Sequence, residues 1–146
     1  MSDTGKATHD DVNLIIKLYD LRREERMRQA RTWFAGAFKI KTVEEFHALC
    51  PPGSEQNASF RMLVTYWDMV ASFLTSGVLN RELFYQSGGE MLFVWERLRD
   101  LVPSLRDIFG NPLQYRNLEQ AATAFIAWWN TQAPGAYDAF SKRVRG

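Results

Sequence analysis

Between Phe60 and Trp95 the chain reads FRMLVTYWDMVASFLTSGVLNRELFYQSGGEMLFVW, and the first half of that run has almost no polar side. At 3.6 residues per turn, Phe60, Leu63, Val64, Trp67, Val70, Ala71 and Leu74 share one broad helical face, widened by Met62, Tyr66, Met69 and Phe73. Only Arg61, Thr65, Asp68, Ser72 and Ser76 make a polar stripe. A helix at a protein surface is apolar on one stripe, whereas one that is apolar over most of its circumference has to be wrapped by neighbours. The spacing therefore predicts a central helix from Ser54 or Asn57 to Ser76, stopped by Gly77 in a left-handed conformation.

The rest of the chain can supply the wrapping. It has 146 residues, enough for one domain that buries roughly 70% of its unfolded surface without a disulfide or metal staple. Apolar residues make up 46% and aromatics 14%, which places it among folded rather than disordered chains. The 18 basic and 17 acidic residues leave a formal charge of +1, so no global field draws it to nucleic acid or acidic membranes. Cys50 is the one cysteine, which excludes an internal disulfide and points to a reducing compartment, the cytoplasm. The start, MSDTGKATHDDVN, is polar and acidic where a signal peptide would be basic and then apolar. Leu14 to Ile16 is too short to span a bilayer, so no membrane insertion is expected.

No run alternates convincingly at period two, and the expected fold is an all-α, single-domain helical bundle over residues 1–146. After a flexible leader (1–9), a long N-terminal helix should begin near Asp10 or Asp11 and reach about Phe38, with Val12, Ile16, Tyr19, Met27, Ala30, Phe34 and Phe38 as its buried stripe. Thr42 and Glu45 have capping-box spacing and should open a short helix that ends before Pro51. Asn80 can cap a brief helix through Tyr85, and Gly88-Gly89 breaks it. Met91, Trp95, Leu98, Val102, Leu105 and Phe109 then keep one face across Pro103, as a kinked helix or two abutting ones. Asn111-Pro112 resembles a cap with proline at the first helical position, opening a helix to about Gln132 that buries Leu118, Ala122, Phe125, Ile126 and Trp129. Residues 134–146 read as a short basic-tipped tail.

Several groups could carry chemistry. Glu44 and His47 form a Glu-x-x-His pair of the kind used in di-iron bundles, but such sites need a second pair and two more carboxylates, and the only other histidine is His9. A solvent-facing His47 is the expectation, and no metal, cofactor or catalytic triad is implied. Arg22, Arg23, Arg26, Arg28 and Arg31 outnumber Glu24 and Glu25 between them, which is read as a solvated helix with local ion pairs rather than a phosphate contact. Gln86-Ser87-Gly88-Gly89-Glu90 could offer backbone N–H groups to an anion, yet lacks the Gly-Lys-Ser/Thr element of a phosphate loop. Trp128 and Trp129 with Tyr137 could stack a flat ligand, although aromatics at helical spacing are more often core. The sharpest polar group is Asp68, Glu96, Arg106, Tyr115 and Glu119, on helices expected to pack together. Arg106 is read first as a partly buried ion pair with Glu119 or Asp68, and second as an anion anchor beside a hydrogen-bonding Tyr115.

The order Gln29-Ala30-Arg31-Thr32-Trp33-Phe34, Tyr66-Trp67-Asp68-Met69-Val70-Ala71, Ser76-Gly77-Val78-Leu79, Trp95-Glu96, then Arg106 through Gly110-Asn111-Pro112, Tyr115 and Leu118-Glu119 resembles a family of uncharacterised bacterial all-helical proteins, a domain of unknown function. Roughly residues 20 to 130 are covered. The resemblance implies a helical fold and no particular activity. Many members of that family carry a membrane segment before the first basic helix; here Leu14 to Tyr19 stands in its place, so a membrane role is not carried over.

These readings favour a non-catalytic interaction module that self-associates as a homodimer, with an unidentified protein partner as a further expectation. The alternative is a small-molecule or anion binder with a pocket around Arg106, Tyr115 and Asp68. Nucleic-acid contact through Arg22 to Arg31 is disfavoured and would require steep salt dependence.

Overall fold

The apolar stretch forms one helix, Glu55–Thr75, and every residue of its expected face, from Phe60 to Leu74, is buried. Ser54 caps it by accepting from the Asn57 N–H at 3.0 Å. At the other end Gly77, with φ of 79°, lets the Val78 N–H return to the Phe73 carbonyl at 3.1 Å and the Gly77 N–H to that of Leu74, the paired bonds that close a helix through a left-handed glycine. Met69 departs from the expectation and remains 41% exposed.

The computed structural model describes residues 5–146, so the first part of the expected leader lies outside the described residues. Among them are nine α-helices and no strand: α1 (His9–Arg22), α2 (Glu25–Ala37), α3 (Val43–Leu49), α4 (Glu55–Thr75), α5 (Arg81–Tyr85), α6 (Gly89–Leu98), α7 (Val102–Phe109), α8 (Arg116–Gln132) and α9 (Ala136–Arg145). A single 3-10 turn, Arg99–Leu101, joins α6 to α7, and Pro103 stands in the first turn of α7, where its missing N–H costs nothing. The two helices therefore abut. Helix α4 lies between α2 and α8 and touches α6, while α6 packs in turn on α8 and α9.

The expected long N-terminal helix is two. Helix α1 ends at Arg22, Arg23 caps it, and Glu24 turns extended so that its carboxylate accepts from the Met27 N–H at 3.1 Å and starts α2. The physical reason is the placement of the apolar side chains. Leu18 and Met27 are about two and a half turns apart at 3.6 residues per turn, so a straight helix would point them to opposite sides. The break lets both enter one core, where they are 6% and 7% exposed.

That same turn corrects the stripe assigned to α1. Asp11 and Leu18 are its buried residues and Leu14 and Ile15 pack partly on the core, while Val12, Ile16 and Tyr19 stay 42%, 55% and 53% exposed. Phe109, expected on the buried face of α7, is likewise 48% exposed.

Helix α8 starts later than the proline suggested. Asn111 does accept from the Leu113 N–H at 3.0 Å, but this makes only a local turn. Tyr115, at φ of 61°, is the one non-glycine residue with positive φ among those described, and α8 begins after it. Its ring is 4% exposed, so burial holds a backbone conformation that tyrosine disfavours. The segment read as a tail is a docked helix, with Val144 of α9 buried.

Local capping follows the sequence closely. Thr42 and Glu45 form the capping box of α3, and Asn80 caps α5 by accepting from the Leu83 N–H at 2.9 Å. Gly88 is required by close approach, since a Cβ there would sit 2.3 Å from the Phe84 ring.

Candidate functional site

Asp68 faces α8 from the middle of α4. Its Oδ1 accepts from the Leu118 N–H at 2.9 Å, so a carboxylate fifty residues earlier in the chain satisfies an open donor in the first turn of α8, where the helix dipole favours negative charge. Thr75 adds a second tie, donating to Asn117 Oδ1 at 2.8 Å. Arg106 lies beyond that helix start. Its Nε donates to the Gln114 carbonyl at 2.8 Å and its Nη2 to Glu119 Oε1 at 2.9 Å, so it secures the turn before α8 and the first turn of the helix together. Burial pushes the Tyr115 hydroxyl up to about 12, against a smaller opposing effect of the Gln114 side chain, and keeps it neutral.

Four of the five singled-out residues, Asp68, Arg106, Tyr115 and Glu119, thus meet around the start of α8, with partners inside the chain. Glu96 does not join them. It is 1% exposed, and its carboxylate accepts from the Tyr137 hydroxyl at 2.6 Å and the Ser141 hydroxyl at 2.7 Å, with Arg99 Nη1 at 3.7 Å. This network fixes α9 to α6. The Tyr137 hydroxyl is pushed up by burial first and by the adjoining Glu96 carboxylate second.

Two groups escaped the sequence reading. Glu90, in the first turn of α6, accepts from Arg31 Nε at 2.7 Å and from Trp67 Nε1 at 3.1 Å, with Arg22 Nη1 at 3.7 Å. The Arg22 guanidinium also lies 5.1 Å from the Trp67 ring centroid and 5.4 Å from that of Tyr19. Two arginines of the basic stretch therefore face inward onto a carboxylate of the segment considered for an anion. Arg22 and Arg31 have the same spacing as Leu18 and Met27, so they converge only because the helix breaks. Arg97 is the second group. Its Nη1 donates to the Ala35 carbonyl at 2.7 Å and to the Phe34 carbonyl, which the Phe38 N–H also uses, at 3.2 Å, and its Nε to the Val144 carbonyl at 3.1 Å, so it ties the C-terminal ends of α2 and α9 to α6.

The remaining candidates resolve simply. His47 is exposed, and among the described residues no three His, Cys, Asp or Glu side chains are placed to hold a metal. Cys50 is buried and burial pushes its thiol up to about 11, far from a nucleophile's range. No helix among the described residues is long and apolar enough to cross a membrane.

Fold and site together define a small all-helical domain whose polar clusters join helices to one another. The chain belongs to a family described as a domain of unknown function, DUF4760, whose model matches residues 7–128. No curated protein and no solved structure matches the chain.

Proposed function

We propose that the protein is a non-catalytic interaction module that pairs with a second copy of itself through α1. The observation that carries this reading is the stripe of Val12, Ile16 and Tyr19, which recur four and three residues apart on one helical face and stay roughly half exposed. Apolar side chains aligned on one face form a patch that water solvates poorly, and such patches mark interaction surfaces.

A second copy is the occupant proposed because a twofold axis lets the stripe cover its own counterpart. An antiparallel pair would bring the two stripes together, with exposed Asp10, Lys17, Asp20, Arg23 and Glu24, charges of both signs, around them. The lone buried cysteine fits a protein of a reducing compartment, the bacterial cytoplasm, where no disulfide is needed.

Anion binding around Arg106, Tyr115 and Asp68 has weaker support. Arg106 Nε and Nη2 and Asp68 Oδ1 already have partners in the chain, and the hollow beside Arg106 is also lined by Asp107.

Native mass spectrometry and light scattering of the purified chain test the pairing. A dimer at micromolar concentration that becomes a monomer in Ile16→Asp, with unchanged helical circular dichroism, is the expected result. A wild-type monomer across that range, or a dimer indifferent to Ile16→Asp and Tyr19→Asp alike, would overturn the reading.

A further inference from the structure

Trp128 and Trp129 are consecutive, and neighbouring side chains on a helix diverge by about 100°, so the two indoles cannot enter the core along one direction. Both remain half-buried. Beside them, between α8 and the facing Tyr85, Leu92 and Phe140, runs a groove of about 350 Å³. Its rim carries the amides of Gln86 and Gln132, and no charged side chain lines it.

Stacked and edge-on ring pairs occur in this cluster as in the core, where Trp33 and Trp67 also meet their neighbours edge-on. Phe34 and Phe38 stack at 4.6 Å and 11°, and Phe38 and Phe60 at 5.3 Å and 19°. Tyr85 and Phe125 also stack, at 4.3 Å and 25°. The two indoles do not. Trp128 meets Tyr85 at 45° and Phe125 at 67°, while Trp129 meets Tyr137 at 67° and Phe140 at 64°. Among the described residues each ring that meets an indole does so tilted or edge-on, so neither indole is part of a parallel stack.

We propose that this groove binds a small, uncharged, planar heteroaromatic molecule, stacked on an indole face and hydrogen-bonded along its edge by Gln86 or Gln132. The volume lies at the small end of ligand pockets, about 300–1,000 Å³, and suits a bicyclic ring. The absence of charge in the lining decides against an anion, which would be desolvated without a counter-ion. An ammonium group could also use the ring faces, but no carboxylate lines the groove to pair with it. The amides supply both donors and acceptors, which match the mixed polar edge of a heteroaromatic ring. None of the lining residues lies on α1, so this site is independent of the proposed pairing surface.

The test uses the full chain labelled with nitrogen-15, its assigned indole N–H resonances, and quinazolin-4-one as a neutral planar probe. Cyclohexanecarboxamide, benzyltrimethylammonium and 1-naphthoate serve as non-planar, cationic and anionic comparators. Quinazolin-4-one is expected to shift the Trp128 and Trp129 indole signals saturably and to bind at least tenfold more tightly than each comparator. The double change Trp128→Leu with Trp129→Leu should weaken binding at least tenfold. Because that variant could lose its fold, Gln132→Arg at an exposed rim position is the second one, expected to weaken binding at least fivefold while melting as the wild type does. No saturable shift up to millimolar probe, equal binding of any comparator, or unchanged affinity in Gln132→Arg would overturn the proposal.

Discussion

Arg31 Nη2 and Nε each lie 2.7 Å from Glu90 Oε1, and this contact fastens α2 to the start of α6 across fifty-nine residues of chain. Glu90→Ala would leave Arg22 and Arg31 facing each other and strip Trp67 of its acceptor. Hydrogen bonds to charged groups contribute about 1.5–3 kcal/mol, and a loss in that range is expected, because Arg31 at 35% exposure retains some hydration. Glu90→Gln, which can still accept from Trp67, should lose less. Urea unfolding followed by tryptophan fluorescence reads both variants, and a Glu90→Ala midpoint equal to the wild type would contradict the assignment.

Asp11 joins two helix starts. Its Oδ2 accepts from the Thr8 N–H at 2.8 Å and its Oδ1 from the Asn80 N–H at 2.9 Å, while Asn80 in turn donates to the Gly5 carbonyl at 3.0 Å. Burial alone would push the carboxyl up, but the hydrogen bonds from Thr8 and Asn80 outweigh it and hold the group below its ordinary 3.8. A carboxylate depressed on folding stabilises above its unfolded value, and that stability disappears as pH falls through the folded value. The wild type should therefore exceed Asp11→Asn by a constant margin from neutral pH down to about 5, with the margin closing below 3.8. Denaturant midpoints at several pH values check it; a margin that widens on acidification would refute the mechanism.

Arg106 offers a cleaner separation of structure from ligand binding. Its pair with Glu119 is 21% and 44% exposed on the two sides, so that pair contributes only about 0.2–1 kcal/mol. Its bond to the Gln114 carbonyl adds about 1 kcal/mol. Arg106→Ala should lower stability by about 1–2 kcal/mol, with freer exchange of the amides at the start of α8. Hydrogen exchange of residues 113–119 reads it, and unaltered protection there would argue against a structural role.

Cys50 should resist modification. With its thiol near 11, only about one part in a thousand is thiolate at pH 8, and the side chain is 1% exposed. Ellman's reagent should therefore react no faster than the protein opens, and at once in 6 M guanidinium. Rapid labelling of the native chain would show that the Leu49–Pro51 corner is not closed as described.

The parts of the fold that could be read ahead were those governed by neighbours in the chain. Thr42 with Glu45, Ser54 with Asn57, Asn80 with Leu83, and Gly77 after Thr75 each solve an end problem within a few residues, and the residue types carry the solution. The α4 face was readable for the same reason, since it needs only the helical period. Val12, Ile16 and Tyr19 misled because an apolar stripe does not state whether its cover is the same chain. Asn111-Pro112 misled because the cap that α8 uses, Asp68, comes from another helix.

The candidate site divides in the same way. Asp68, Arg106, Tyr115 and Glu119 could be grouped because they sit on elements expected to touch. Glu96 was misplaced with them, since its partners Tyr137 and Ser141 belong to a segment read as a tail. Arg97 gave no signal at all, because its acceptors are backbone carbonyls, which every residue has.

By itself, then, the sequence determined that the chain is all-helical, that Glu55–Thr75 lies at the centre, and where α3, α4 and α5 begin and end. These depend on period, capping and conformational preference, which act over one or two turns. Tertiary structure alone decided that the basic stretch turns Arg22 and Arg31 inward onto Glu90, that the Asp68 carboxylate caps α8 and the Asp11 carboxylate holds the cap residue of α5, and that α1 and the Trp128–Trp129 groove present apolar surface to solvent. Those outcomes depend on which side of each helix meets another, and a break of two residues after Arg22 changes that by half a turn.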